Sequence, residues 1–94
     1  MKGATAMRYA FEFISNYDGV TDYRLYINGK PDTRFCVSLA RECFYSDGSA
    51  ALASEVAAFN ADRRENHAQA VEKYGVESVG PFVPYRPLGM GVAA

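Results

Sequence analysis

Residues 49–74 of this chain read SAALASEVAAFNADRRENHAQAVEKY and contain neither glycine nor proline, while Gly48 and Gly75 lie directly outside them. Because glycine and proline are the residues that most often interrupt a helix, this segment predicts one long α-helix. We expect Asp47 or Ser49 to cap its first turn and Gly75 to end it in a left-handed conformation. The other elements are then expected to pack against its apolar side.

The predicted helix has an apolar stripe on which polar residues also fall. At about 100° per residue, the stripe contains Leu52, Val56, Phe59, Ala70 and Tyr74. Arg63, Asn66 and His67 lie on the same side. Either this group forms a binding site at the rim of the helix, or the helix outruns the sheet and these side chains meet water. The length agrees with the second interpretation, since the helix would be about 37 Å long, roughly twice a seven-residue strand.

The size and charge of the chain limit its architecture and its partners. Ninety-four residues suffice for one hydrophobic core, so we expect a single domain over residues 1–94. With 10 basic and 11 acidic residues the net charge is −1, which predicts no general attraction to nucleic acid or to an anionic membrane. Residues 1–6 lack the apolar core of a signal peptide and predict a flexible leader, so we expect the protein in the cytoplasm.

Metal, cofactor and catalytic sites are not indicated by the sequence. Cys36 and Cys43 are separated by seven positions and His67 is the single histidine, a spacing unlike that of zinc sites or redox pairs. We expect both cysteines to be buried, reduced thiols. No acid and base stand at a recognisable spacing, so the chain is expected to bind neither metal nor cofactor and to have no enzymatic activity.

The first part of the chain alternates apolar and polar residues with the period of a β-strand. The core face is expected to carry the odd-numbered residues Met7, Tyr9, Phe11, Phe13, Tyr23, Leu25 and Ile27. A turn signal at residues 16–19, with the sequence NYDG, separates two such strands. The pattern therefore predicts a β-hairpin.

A third strand follows the hairpin, and the apolar pattern selects its register. A two-residue turn beginning at Asn28 would set Leu25 against Asp32, so residues 28–32 are expected to form the whole loop. The apolar and aromatic rows of the strands then align. The expected core-face pairs are Leu25 with Phe35 and Tyr23 with Val37, with Phe11 on the other side of Leu25.

The remaining segments are shorter. Ser38 is a suitable cap for a short helix over residues 39–44, although a fourth strand through residues 43–45 is an alternative. Glycine and proline punctuate the end of the chain, which predicts an extended strap over residues 76–85 and a flexible tail over residues 88–94. The predicted fold is therefore α+β, a three-stranded antiparallel β-meander packed against one long α-helix, with a short extra helix and a Pro/Gly-rich C-terminal strap.

Two surfaces are candidates for binding. The first, for a protein partner, contains Arg63, Arg64, His67, Tyr85 and Arg86. Arginine and tyrosine are enriched at binding hot spots, and a rigid helix loses little entropy when it binds. The alternative is single-stranded nucleic-acid binding by the outer sheet face, with Arg8, Arg24, Tyr26 and Arg34. On that face we expect Glu12 to pair with Arg24 across the strands, which would lower the positive charge.

The predicted hairpin and third strand in residues 7–37, followed by the helix of residues 49–74 in a short and mildly acidic chain, resemble the small phage proteins that block host defences, such as the anti-CRISPR proteins. The resemblance is one of size and makeup and rests on no residue motif, so it carries no site residues over. It implies a phage accessory protein, an inhibitor that binds a bacterial CRISPR-type nucleoprotein effector and obstructs it. The predicted function is a non-catalytic protein-interaction module.

Overall fold

The computed structural model describes residues 7–90, in which a five-stranded sheet is covered on one face by a long helix. The elements are β1 (Tyr9–Tyr17), β2 (Val20–Ile27), β3 (Lys30–Val37), β4 (Glu42–Tyr45), α1 (Ala53–Tyr74), α2 (Val76–Val79) and β5 (Arg86–Pro87). The strands lie in sequence order, antiparallel from β1 to β4, and β5 pairs in parallel with β4. The α+β class is confirmed, and the predicted meander is the part formed by β1, β2 and β3. The predicted leader, residues 1–6, lies outside the described residues.

The β1–β2 hairpin has the predicted register over its first half. Phe11 faces Leu25, as the apolar alternation predicts. A β-bulge follows, because the register shifts between Phe13 and Ser15 and leaves the residue between them without a partner. One extra residue turns the following side chains to the other face, so Tyr17 lies on the outer face and is 82% exposed.

The turns at both ends of β2 are tighter than expected. Asp18 and Gly19 form the first turn, with φ angles of 54° and 83°. Asn28 and Gly29 form the second, with φ angles of 52° and 81°. Positive φ at both central residues is the requirement of a type I′ turn, whose twist matches that of the flanking strands. The predicted loop over residues 28–32 is wrong, since β3 already begins at Lys30.

A second bulge makes the tight turn compatible with the apolar core. Asp32 and Thr33 of β3 lie together opposite the single residue Leu25, so the register shifts by one residue. Tyr23 consequently faces Phe35, and the shift keeps the apolar rows of β2 and β3 on one face. The predicted pairs of Leu25 with Phe35 and of Tyr23 with Val37 are wrong.

The segment after β3 turns back as a hairpin, so the predicted helix over residues 39–44 is wrong and the strand alternative is correct. The Ser38 hydroxyl oxygen accepts hydrogen bonds from the amides of Ala40 and Glu42, each at 3.2 Å. Ser38 therefore closes a turn instead of capping a helix. The loop ends at Arg41, whose φ of 66° is left-handed. Glycine is the usual residue at this position of a three-residue hairpin loop.

The ends of α1 follow the prediction at one terminus only. Gly75 ends the helix with a φ of 90°, and its amide donates to the carbonyl of Val71 at 2.7 Å. At the other terminus the helix begins at Ala53, and neither predicted cap is used. The Asp47 carboxylate instead accepts hydrogen bonds from the Ser49 amide and hydroxyl, at 2.9 and 2.6 Å, inside the preceding turn.

Tyr45 takes the place of a helix cap. Its hydroxyl oxygen accepts a hydrogen bond from the Leu52 amide at 3.0 Å and its proton is donated to the Glu55 carboxylate at 2.5 Å. The carboxylate of Glu55 is buried in the first helical turn, where negative charge is favourable. The terminus of α1 is therefore held by a strand residue, a contact that local sequence does not reveal.

The hydrophobic core lies between the central strands and the first half of α1. Its buried members are Leu25, Phe35, Val37, Cys43, Ala51, Val56 and Phe59. Both cysteines are buried free thiols, as predicted. Of the predicted helical stripe, Val56 and Phe59 are buried, whereas Leu52 and Tyr74 are 59% and 62% exposed. The second half of α1 therefore extends past the sheet.

The chain returns from α1 through a single helical turn, α2, and then residues 80–85, which we call the strap. The prediction that the whole of residues 76–85 is extended is thus wrong for α2. After the strap, β5 pairs with β4, and the Leu88 amide donates to the carbonyl of Cys43 at 2.9 Å. The predicted loose tail accordingly does not include Leu88, and residues 91–94 lie outside the described part of the chain.

Candidate functional site

A cleft of about 320 Å³ lies between the second half of α1 and the strap. The helical wall is formed by Arg63, Asn66 and His67, and the strap contributes Pro81, Phe82 and Tyr85. Residues three and four apart share one helix face, which is why the polar group found on the stripe points to a single place. The sheet reaches this part of α1 at Arg63, which lies 6.0 Å from the ring centre of Tyr23, and the strap lies against the same face of the helix. Arg63 and His67 are half-buried there.

Polar side chains hold the strap in place. The Asn60 amide nitrogen donates to the Tyr85 carbonyl at 3.0 Å, and its oxygen accepts from the Tyr85 amide at 2.8 Å. His67 Nε2 lies 2.7 Å from the Gly80 carbonyl oxygen, so this nitrogen carries a proton and donates it. Arg41 donates to the Val83 carbonyl at 3.3 Å. The strap is therefore bound along its length, and the cleft is preformed.

Guanidinium groups pack on aromatic rings around the cleft. Arg41 lies 4.9 Å from the ring centre of Tyr85, and Arg64 lies 4.9 Å from that of Phe82. Arg63 lies 5.5 Å from the ring centre of Phe59. Such contacts orient each planar group against a ring, while its edge stays able to donate hydrogen bonds.

The charge of the cleft walls is positive. Arg41 and Arg63 both line it, and no Asp or Glu of the described residues does. Asp62 lies just outside and accepts two hydrogen bonds from Arg63, at 3.1 and 2.6 Å. The arrangement can therefore bind an anionic or hydrogen-bond-accepting group, and it provides no paired acid and base for proton transfer.

The structure brings together most of the residues predicted for a protein contact. Arg63, His67 and Tyr85 line the cleft, and Arg64 joins them through the Phe82 ring. Arg86 does not, because it lies on β5, where its guanidinium approaches the Glu42 carboxylate at 3.9 Å.

Arg41 and Asn60 belong to the site and were not predicted from the sequence, and Phe82 was not among the predicted site residues either. Arg41 was assigned to a short helix, and its contact with the strap depends on the hairpin that replaces that helix. Asn60 follows the buried Phe59 directly, so its position beside the core was the only available signal. Both residues act on a segment more than twenty positions away, which periodicity does not report.

The outer sheet face carries the alternative set, Arg8, Arg24, Tyr26 and Arg34. Glu12 lies beside Arg24, as predicted, but its carboxylate accepts a hydrogen bond from the Tyr26 hydroxyl at 2.7 Å. That hydrogen bond raises the pKa of Tyr26. Arg34 forms an ion pair with Asp22. The Tyr26 hydroxyl and the Arg34 guanidinium of this face thus bind acidic side chains of the same sheet.

Replacing Asn60 by alanine is expected to loosen the strap while the fold is retained. The substitution removes both hydrogen bonds to the Tyr85 backbone, each contributing about 1 kcal/mol. Hydrogen exchange followed by NMR should show the Tyr85 amide exchanging roughly thirtyfold faster, which corresponds to about 2 kcal/mol. Asn66→Ala is the matched control, since Asn66 forms no side-chain hydrogen bond within residues 7–90. Equal protection of Tyr85 in wild type and Asn60→Ala would contradict this account of the strap.

No protein-family model matches this chain, and neither curated proteins nor solved structures include a significantly similar one. Among residues 7–90, no helix has the length and apolarity required to cross a membrane. The same residues contain no group of three or more metal-ligating side chains.

Proposed function

We propose that this chain is a non-catalytic protein-interaction module whose contact surface is the cleft between α1 and the strap. The observation that carries the proposal is the stacking of arginines on aromatic rings around a preformed concavity, at Arg41 with Tyr85 and Arg64 with Phe82. Buried arginine and aromatic groups in water-excluding pockets contribute most of the affinity at protein interfaces. Because the strap is already bound, little conformational entropy is lost on association.

The side-chain roles at the cleft support binding over catalysis. His67 uses one ring nitrogen to hold Gly80, and the arginines are permanently charged. A general acid–base mechanism requires groups that exchange protons near neutral pH at adjoining positions. The partner class that we propose to test is the one implied by the resemblance to phage inhibitors, a bacterial nucleoprotein effector whose surface the module would occupy and obstruct.

The double substitution Arg63→Glu with Arg64→Glu is expected to weaken partner binding at least tenfold, about 1.4 kcal/mol. Both changes place negative charge where cationic groups pack on the rings of Phe59 and Phe82. The partner is captured from bacterial lysate with the immobilised wild-type chain, identified by mass spectrometry and then titrated against each variant in purified form. Circular dichroism checks that each variant is folded.

The matched control is Arg8→Glu with Arg24→Glu, the same charge change on the outer sheet face. We expect this variant to bind the partner like the wild type. If the outer-face variant weakens binding and the Arg63→Glu with Arg64→Glu variant does not, the partner binds the outer sheet face. Salt-sensitive binding of a single-stranded oligonucleotide, lost in Tyr26→Ala, would favour the nucleic-acid alternative.

A further inference from the structure

We propose that the cleft binds an acidic peptide segment, with a carboxylate held between Arg41 and Arg63; this deepens the proposed interaction function and rests on it. The first support is the local charge. The chain as a whole contains 11 acidic and 10 basic residues, yet the cleft is lined by arginines from two different elements and, among the described residues, by no acidic one. Charge complementarity therefore selects an anionic occupant.

The backbone at Arg41 is the second support. Its φ of 66° is the left-handed conformation that a hairpin loop of this length ordinarily gives to glycine. A residue other than glycine at that position costs conformational energy, and such backbone strain is concentrated at functional sites. Here the guanidinium lies over Tyr85 and makes one hydrogen bond, to Val83, which leaves most of its N–H donors without a partner in residues 7–90.

The ion pair between Arg63 and Asp62, beside the cleft, shows that this guanidinium binds a carboxylate. Nε and Nη2 of Arg63 both donate to one carboxylate oxygen of Asp62, Oδ2, so this edge of the guanidinium already binds a carboxylate. Asp62 is an exposed neighbour in sequence, so it competes with an incoming carboxylate for the same donors. Removing its charge is therefore expected to strengthen binding.

The occupant is expected to carry an apolar residue two positions from its acidic one. A second hollow, of about 200 Å³, shares Arg41 and Tyr85 with the cleft and continues over Tyr23, Val37 and Leu39. The two hollows adjoin at Arg41 and Tyr85, so a cationic part and a more apolar part lie side by side. An extended peptide that carries an acidic and an apolar side chain two positions apart fits both, because every second side chain of a strand points to the same side.

Fluorescence anisotropy with a short labelled peptide tests this directly. The probe contains glutamates and leucines two positions apart, each pair separated by one uncharged residue, and the matched probe has glutamine at every glutamate position. We expect the glutamate peptide to bind at least about tenfold more tightly than the glutamine peptide, and its affinity to fall as salt is raised. Equal binding of the two peptides, or no binding of either, overturns the proposal.

Single substitutions distinguish binding of the peptide at this cleft from nonspecific attraction between the peptide and positive charges elsewhere on the protein. Arg41→Asn, which tolerates the left-handed backbone, and Arg63→Gln are each expected to weaken the glutamate peptide about tenfold. Asp62→Asn is expected to strengthen it about two- to fivefold. Arg24→Gln, on the outer face, should leave it unchanged. A loss in Arg24→Gln equal to that in Arg63→Gln overturns the proposal, and so does tighter binding of inorganic phosphate or of a single-stranded oligonucleotide at the same arginines.

The peptide experiment and the partner-binding experiment can fail independently of each other. If the glutamate peptide fails while Arg63→Glu with Arg64→Glu still abolishes capture of the protein partner, the cleft is an interaction surface of different chemistry. If the peptide binds as expected but the double variant captures the partner like the wild type, the protein contact lies elsewhere and the cleft is an acidic-peptide site on its own.

Discussion

Replacing Phe59 by alanine is expected to lower the free energy of unfolding by about 3–5 kcal/mol. Phe59 is 1% exposed and is one of the residues by which α1 packs on the sheet. The rings of Phe11, Phe35, Tyr23 and Tyr85 surround it, with centres 5.0 or 5.1 Å from its own. The substitution removes a large apolar surface from the core and leaves a cavity that these rings, held by separate elements, cannot fill completely.

Urea denaturation followed by circular dichroism measures this loss, since small domains of this size usually unfold in one transition. Leu52→Ala, directly before the same helix, is the matched control, because Leu52 is largely exposed and its removal should change stability by about 0.5 kcal/mol or less. A similar effect of both substitutions would mean that the helix does not rest on the sheet through Phe59. The variant also detaches Tyr85 from the core, so the strap is expected to lose protection from hydrogen exchange.

The substitution Tyr45→Phe is expected to cost about 2–3 kcal/mol although it removes a single oxygen atom. That oxygen serves the Leu52 amide and the Glu55 carboxylate together. Glu55 is 4% exposed, so without the hydroxyl its carboxylate would be buried next to an apolar ring edge. The cost is therefore mainly the desolvation of a charged group that has lost its partner.

A double-mutant cycle with Glu55→Leu distinguishes the loss of the Tyr45–Glu55 hydrogen bond from a general packing effect. Once Glu55 is apolar, Tyr45→Phe should cost clearly less than it does in the wild type, because no buried carboxylate remains to be left unpaired. Strictly additive effects in chemical denaturation would show that the two side chains do not interact, and the account of the helix terminus would then be wrong.

The same hydroxyl predicts a dependence on alkaline pH. Burial, and next the hydrogen bond to Glu55, raises the pKa of Tyr45 from its ordinary 10.0 to about 12. A raised pKa means that the folded state favours the protonated form, so this contribution is complete below pH 10.0 and is lost as the pH approaches about 12. Stability measured across that interval should fall more steeply for the wild type than for Tyr45→Phe.

Residues whose structure depends on near neighbours were predicted from the sequence. The helix to Gly75, the burial of Val56 and Phe59, and the pairing of Phe11 with Leu25 follow from periodicity and from residue preferences at turns and helix ends. The gathering of Arg63 and His67 at one rim of α1 also follows from helical spacing. These features could be predicted without knowing how distant segments of the chain pack.

The register between β2 and β3 was predicted incorrectly, because it depends on a tight turn combined with a bulge. Asn28 and Gly29 are a strong signal for a tight turn, but the correct register also requires Asp32 and Thr33 to share one partner. A bulge costs one unpaired residue and gains an aligned apolar row, and that balance is decided by packing across the sheet. The strand at residues 42–45 was likewise decided by pairing with β3, since a short apolar run is compatible with a helix or a strand.

The sequence by itself determined the α+β class, the long helix and the polar group on its rim. Only the tertiary structure decided that this group forms a cleft. Arg41 and Asn60 reach the strap across chain separations of 42 and 25 residues, and these contacts exist because β5 pairs with β4 and brings residues 80–85 back along α1. The physical reason is that periodicity records which face of one element is apolar, whereas a binding site depends on which elements the packed core places side by side.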